Sequence, residues 1–133
     1  KPSGSRPQAS FRRITGTMRL RVYVAGPISK GNVEANVQRG IDAGLRLLTA
    51  GFAPFIPHLS ARAYPPGDHS HLAGTDLYEA WLEHDFSYIS VCHALLRLSG
   101  ESSGADREAD WATGCGVPVF YSEEDLLAWA RGG

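Results

Sequence analysis

The stretch SSGADREADWATGCGVPVF, residues 102 to 120, sets Ser102, Ser103 and Gly104 directly ahead of a helix start and places Glu108 about one turn into that helix. Serine hydroxyls and the amides of a first helical turn suit a phosphate or another small anion, and a plain N-cap by Ser103 would use the same residues. Taken alone, Glu108 reads as a solvated helix charge. It can also point into the cleft that the serines face, whereas Asp106, Arg107 and Asp110 cannot all do so, because neighbours on a helix diverge by ~100°. Asp85, in the middle of the preceding helical stretch, supplies a second acid. Two carboxylates held across a cleft can divide glycosidic chemistry, one as nucleophile and the other as acid or orienter around an oxocarbenium-like state.

A second anion loop is offered by YVAGPISKGN, where Gly26, Pro27, Ile28, Ser29 and Lys30 follow an apolar run and lead through Gly31 and Asn32 into the next helix. It matches neither the Walker A pattern nor the dinucleotide fingerprint, so by itself it reads equally as a tight turn and as a phosphate site. His58, His69 and His71 fall close together but lack a second ligand motif, and no metal is expected. His84 and His93 read as helix-surface and strand-start residues. Trp81 and Trp111 read as packing, with Trp111 near enough to the cleft to stack on a ligand as well.

These residues need a scaffold. LRVYVAG (20 to 26) is β-branched and ends in Gly-Pro, which predicts a buried strand delivering a loop. From Val33 onward, Val37, Ile41, Leu45 and Leu48 recur three or four apart, predicting a helix with that apolar face and a stop at Gly51. FAPFIP (52 to 57) predicts a second strand, followed by a long proline-rich loop to residue 75 that shapes a pocket. Thr75 is placed to cap a helix through residue 91, with Leu77, Trp81, Phe86 and Ile89 packing inward. HALLRLS (93 to 99) and VPVFY (117 to 121) predict further strands around the helix that carries Glu108. Ser122, with Asp125 three residues on, opens a last helix.

Alternating strands and helices predict a single-domain α/β fold: a doubly wound, Rossmann-like or flavodoxin-like parallel sheet of four to five strands. In such sheets the site lies beyond the carboxyl ends of the strands, which selects the loops 26 to 33, 57 to 75 and 99 to 105.

Bulk properties narrow the class. A chain of 133 residues with 43% hydrophobic content suits one domain. Residues 1 to 17 are polar, lack acids and read as a leader or disordered tail before a domain at 18 to 133. Without the four cations of that segment, 9 Lys and Arg face 14 acids, a formal charge of about −5. An acidic body argues against nucleic acid as partner. Cys92 and Cys115 are too few for a disulfide framework, and no apolar run approaches ~20 residues, so a soluble cytoplasmic protein without membrane contact is expected.

VYVAGPIS in the first strand, Asp85 followed by Ile89, and the spacing Ser102-x-Gly104-x-x-x-Glu108 continued as Trp111-Ala112-x-Gly114-x-Gly116-x-Pro118 together resemble the nucleoside 2-deoxyribosyltransferase superfamily, from about Leu20 to Phe120. The pattern is most similar to its nucleoside 5′-phosphate N-hydrolases. The resemblance implies that Glu108 attacks C1′ of the sugar to form a covalent glycosyl-enzyme intermediate, that the Tyr23 phenol holds it, and that Asp85 lies near the departing base. It implies no cofactor, and a homodimer or larger assembly. Six residues before the glutamate, family transferases tend to carry an acid for the 5′-hydroxyl and nucleotide enzymes a serine; Ser102, with Lys30 nearby, implies a 5′-monophosphate. Two positions depart from the pattern: Asp110 stands where glycine is common, and His93 where an acid is common. The expected activity is N-glycosidic cleavage of (deoxy)nucleoside 5′-monophosphates, the alternatives being base exchange or a non-catalytic nucleotide-binding module.

Overall fold

The computed structural model describes residues 18–63, 70–72 and 74–132; residues 1–17 and His69 lie outside them. The elements run β1 (Arg21–Ala25), α1 (Val33–Thr49), β2 (Ala53–Phe55), 3₁₀ turns at Pro57–Ala63 and Ser70–Leu72, α2 (Asp76–Ile89), β3 (Ala94–Arg97), α3 (Ser103–Gly114), β4 (Val119–Phe120) and α4 (Glu123–Ala130). The strands pair in parallel in the order β2-β1-β3-β4, with Tyr23 opposite both Phe55 and Leu95. Order reverses between β1 and β3, so their carboxyl ends open the crevice where such sheets hold ligands.

Side chains alternate across the sheet and feed two cores. Val22, Val24, Ala94 and Leu96 pack with Ala43 and Leu47 of α1 and Leu126 of α4. Tyr23, Ala25 and Leu95 pack with Ile89 of α2 and Ala105, Ala109 and Ala112 of α3. Helices on both faces make the sheet doubly wound, as the βα alternation predicts.

Helix ends follow local chemistry. Asn32, Thr75, Ser102 and Ser122 cap α1 to α4 by accepting the amides of Ala35, Tyr78, Ala105 and Asp125. The cap of α3 is therefore Ser102 rather than Ser103. Gly51 (φ +106°) and Gly116 (φ +79°) take the left-handed positions that end α1 and α3, with Phe52 and Val117 donating back to Leu47 and Ala112.

Two expected faces are corrected. On α1 the buried positions are Val37, Gly40, Ala43, Gly44 and Leu47, while Leu45 and Leu48 are 53% and 47% exposed and Ile41 is half-buried. The buried stripe is built on glycine: a Cβ on Gly40 would come within 2.2 Å of the His58 ring, and one on Gly44 within 2.2 Å of Ile56. On α2 Phe86 and Ile89 pack against the core as expected, Leu82 and Asp85 turn inward with them, and only Leu77 of the expected face is exposed.

Candidate active site

A cavity of about 430 Å³ opens at the carboxyl ends of β1 and β3. Its floor and one wall come from Gly26, Ile28, Ser29 and Lys30 after β1, and its opposite wall from Glu101 to Ala105 and Glu108. Pro57, Ser60 and Ala61 close one side, and Tyr78, Trp81, Leu82 and Asp85 of α2 another. All three loops selected from the sequence thus contribute. The volume lies within the usual range of small-molecule sites, about 300–1,000 Å³.

Glu108 and Asp85 both face this cavity and are only 6% and 8% exposed. Glu108 sits there because Ser102 caps α3 six residues earlier, and the flanking Ala105, Ala109 and Ala112 are small enough for the helix to lie close on the sheet. Tyr23, below the cavity in β1, donates its hydroxyl proton to Glu108 Oε2 at 2.8 Å. Burial first, and then the charges of Glu108 and Asp85, hold the Tyr23 phenol well above its ordinary range, so it stays a donor. Burial also pushes the Glu108 carboxyl well above the usual carboxylate range, and Asp85 adds to this; the Tyr23 hydrogen bond and the Arg97 charge pull it back. Two buried acids this close favour a state with one proton between them.

Arg97, missed in the sequence, organises the β3–α3 turn. Its buried guanidinium donates to the carbonyls of Leu98 and Gly100, the latter at 3.0 Å, and to Asp106 Oδ1 at 2.8 Å. One cation thereby ties the strand end, the loop and the first turn of α3 together. Its signal was an arginine at an inward position of the apolar strand ALLR. Arg39 of α1 reinforces the same loop by donating to the Ser99 carbonyl at 3.0 Å.

At the head of α3, Ser102 Oγ accepts from the Ala105 amide, which leaves its proton free to donate into the cavity. Gly104 leaves room for Tyr78, whose hydroxyl would lie 3.1 Å from a Cβ there. Across the mouth, Lys30 Nζ and Glu101 Oε2 form an exposed ion pair of 3.0 Å. Pro27 does not line the cavity; its ring packs over Gly100.

The remaining candidates fall elsewhere. His58 is fully buried against Gly40, and neither ring nitrogen has a hydrogen-bond partner of ordinary geometry, although the Pro27 carbonyl is close enough to act on the ring. Trp111 stacks on Phe86 at 4.7 Å and donates to Ser90, outside the cavity. Asp110 is exposed on the far side of α3. His93 lies at the opposite end of the sheet, where its Nδ1 accepts the Arg21 amide at 2.9 Å. An acid at that position could accept the same amide, so the departure there leaves the site untouched. Among the described residues, no group of three or more His, Cys, Asp or Glu is placed to hold a metal, and no helix is long and apolar enough to cross a membrane.

A family model described as a domain of unknown function, DUF4406, matches residues 20–121. The chain belongs to this family. The match spans the DUF4406 chain from β1 to just past β4 and so contains every residue of the cavity. Comparison with curated proteins yields no significant match. Among solved structures, the DUF4406 chain is similar to a 2-deoxyribosyltransferase from the psychrotolerant bacterium Bacillus psychrosaccharolyticus, at 17% identity over 74% of this chain and 69% of that one, with a TM-score of 0.55. That likeness establishes a shared α/β fold for the DUF4406 chain.

Proposed function

We propose that the protein is an N-glycosidase that releases the base from (deoxy)nucleoside 5′-monophosphates. The observation that carries this reading is the buried Glu108 carboxylate facing the cavity, held by the Tyr23 hydroxyl at 2.8 Å, with Asp85 beside it. The fold shared with a protein named as a 2-deoxyribosyltransferase supports it.

For reaction the proton shared by the two acids passes to Asp85, which leaves Glu108 as the carboxylate, a form that burial opposes and the Tyr23 hydrogen bond and the Arg97 charge favour. A Glu108 oxygen attacks C1′ as the C1′–N bond breaks, its electron pair leaves with the base, and Asp85 protonates the departing nitrogen. Water then attacks C1′ and returns its proton to Asp85, while the C1′–oxygen bond to Glu108 breaks and restores the carboxylate. The amides of Ser103 and Gly104, the Ser102 hydroxyl and Lys30 would hold the 5′-phosphate at the N-terminus of α3. A phosphate there would compete with Glu101 for Lys30.

The test is incubation with a panel of ribo- and deoxynucleoside 5′-monophosphates, with and without a second free base, followed by chromatography. Free base without acceptor supports hydrolysis. Exchange only with acceptor identifies base transfer, the reading favoured by the named activity of the structural relative. Binding without release, unaltered in Glu108→Gln, overturns both.

A further inference from the structure

Asp85 has the cavity on one side and His84 on the other. His84 Nδ1 lies 3.0 Å from Asp85 Oδ1, yet His84 does not line the cavity, and its side chain is 41% exposed. A histidine this open on a helix would ordinarily sample several rotamers. Here its ring is enclosed by three others: Trp81 edge-on at 5.2 Å, Tyr88 at 4.9 Å and Phe55 of β2 at 6.5 Å. The imidazole is thus aimed at the acid by an aromatic frame.

We propose that His84 is the positioning residue for Asp85, selecting which carboxyl oxygen carries the proton to the leaving base. The argument rests on the N-glycosidase reading and deepens it. Tyr23 faces the acid pair from β1 and lies close enough to act on both acids, but it has one proton to give, and Glu108 Oε2 accepts it at 2.8 Å. Glu108, facing from α3, is itself an acceptor in the attacking state, and Arg97 of β3 is engaged with Leu98, Gly100 and Asp106. His84 is then the donor within reach of Asp85 Oδ1. An imidazole with a proton on Nδ1 occupies Oδ1 as acceptor, which leaves Oδ2 as the oxygen that bears the acid proton. That proton passes to the base nitrogen as the C1′–N bond breaks, and the attacking water restores it on Oδ2. His84 neither gains nor loses a proton over the cycle. Its contribution is the geometry of the acid, like that of the outer partners that orient catalytic histidines and metal ligands.

The test uses two substrates of the intact protein: a deoxynucleoside 5′-monophosphate, whose base needs a proton to leave, and 4-nitrophenyl 2-deoxyribose 5-phosphate, whose nitrophenolate does not. His84→Phe keeps an aromatic ring in the frame and removes the donor. It is expected to lower kcat on the nucleotide ~10- to 100-fold with KM unchanged, and to leave the nitrophenyl substrate within about threefold of the parent. His84→Asn, whose amide donor can stand where Nδ1 stood, is expected to recover most of the loss. Equal losses on both substrates, or none on the nucleotide, overturn the proposal. A parent that releases no base overturns the functional reading instead, and ¹⁵N NMR of His84 then decides the contact alone. The Nδ1–H tautomer is expected in the parent and lost in Asp85→Ala; the same tautomer in both refutes the pairing.

Discussion

Alternate residues of β1 and β3 point to opposite sides of the sheet, and the two sides receive different chemistry. Beside α1 and α4, Val22, Val24, Ala94 and Leu96 meet Ala43, Leu47, Leu126 and Ala130, all apolar. Beside α2 and α3, the same strands supply Tyr23 and Arg97, and the helices answer with Asp85 and Glu108, so four buried polar side chains share that layer with Leu95, Ile89 and alanines. The apolar layer gains stability from each side chain it removes from water. The polar layer holds an acid that burial pushes toward protonation. One face thus stabilises the fold, and the other uses part of that stability to keep charged groups where water would compete for them.

The largest break in this contrast comes from Glu108→Gln. On the N-glycosidase reading it removes the nucleophile and should lower base release by at least ~10³-fold while the fold survives. Its stability should move the opposite way. A carboxyl whose folded pKa is raised stabilises the native state below the pKa of the unfolded chain and loses that contribution as pH rises through the folded value. The glutamine variant should therefore gain on the parent, in urea unfolding, from about pH 4.5 upward. Leu47→Ala, in the apolar layer, should reverse the pattern, losing about 2–5 kcal/mol of unfolding free energy with kcat per folded molecule within twofold.

His58 sharpens the comparison, because it is a titratable group buried behind the cavity among apolar contacts. Burial, and then the charge of Arg39, hold its pKa down to about 4. The unfolded chain binds a proton below about 6.5 that the native state refuses until about 4, so stability should fall as pH drops through that window, by about 3 kcal/mol in full. Urea midpoints of His58→Leu should lack this slope and cross those of the parent as pH falls. The smallest effect belongs to Asp110→Asn on the exposed side of α3, expected within ±0.5 kcal/mol and within twofold in kcat. A larger loss of activity would place α3's outer face in the site.

Sequence pattern made the parallel sheet and its crevice legible, because β-branched runs, caps and glycine stops each act over a few residues. The buried face of α1 was not legible. Counting apolar side chains selects Ile41, Leu45 and Leu48, whereas the helix meets its neighbours through Gly40 and Gly44, where the signal is the lack of a side chain. The two acids could be placed near one cleft from helix position. Their coupling to Tyr23 followed only from a family resemblance, because residues 85 apart meet through tertiary packing alone. Tyr78 and Ser60 escaped for the same reason, and His84 was read as surface because exposure and aim are independent properties.

The two glycines of α1 have a further consequence. With no methyl between them, the helix backbone serves as a gauge: His58 and Ile56 rest directly on it, and Pro57, between them, begins one rim of the cavity. The adjoining wall, Gly26 and Ile28 to Lys30, leads into the same helix. Both walls are thus referenced to a single rod, and the shape of the opening is measured from a surface on the opposite side of the sheet from Asp85 and Glu108. A single added methyl there would act as a shim, altering which ligands fit before it altered how any bond is broken.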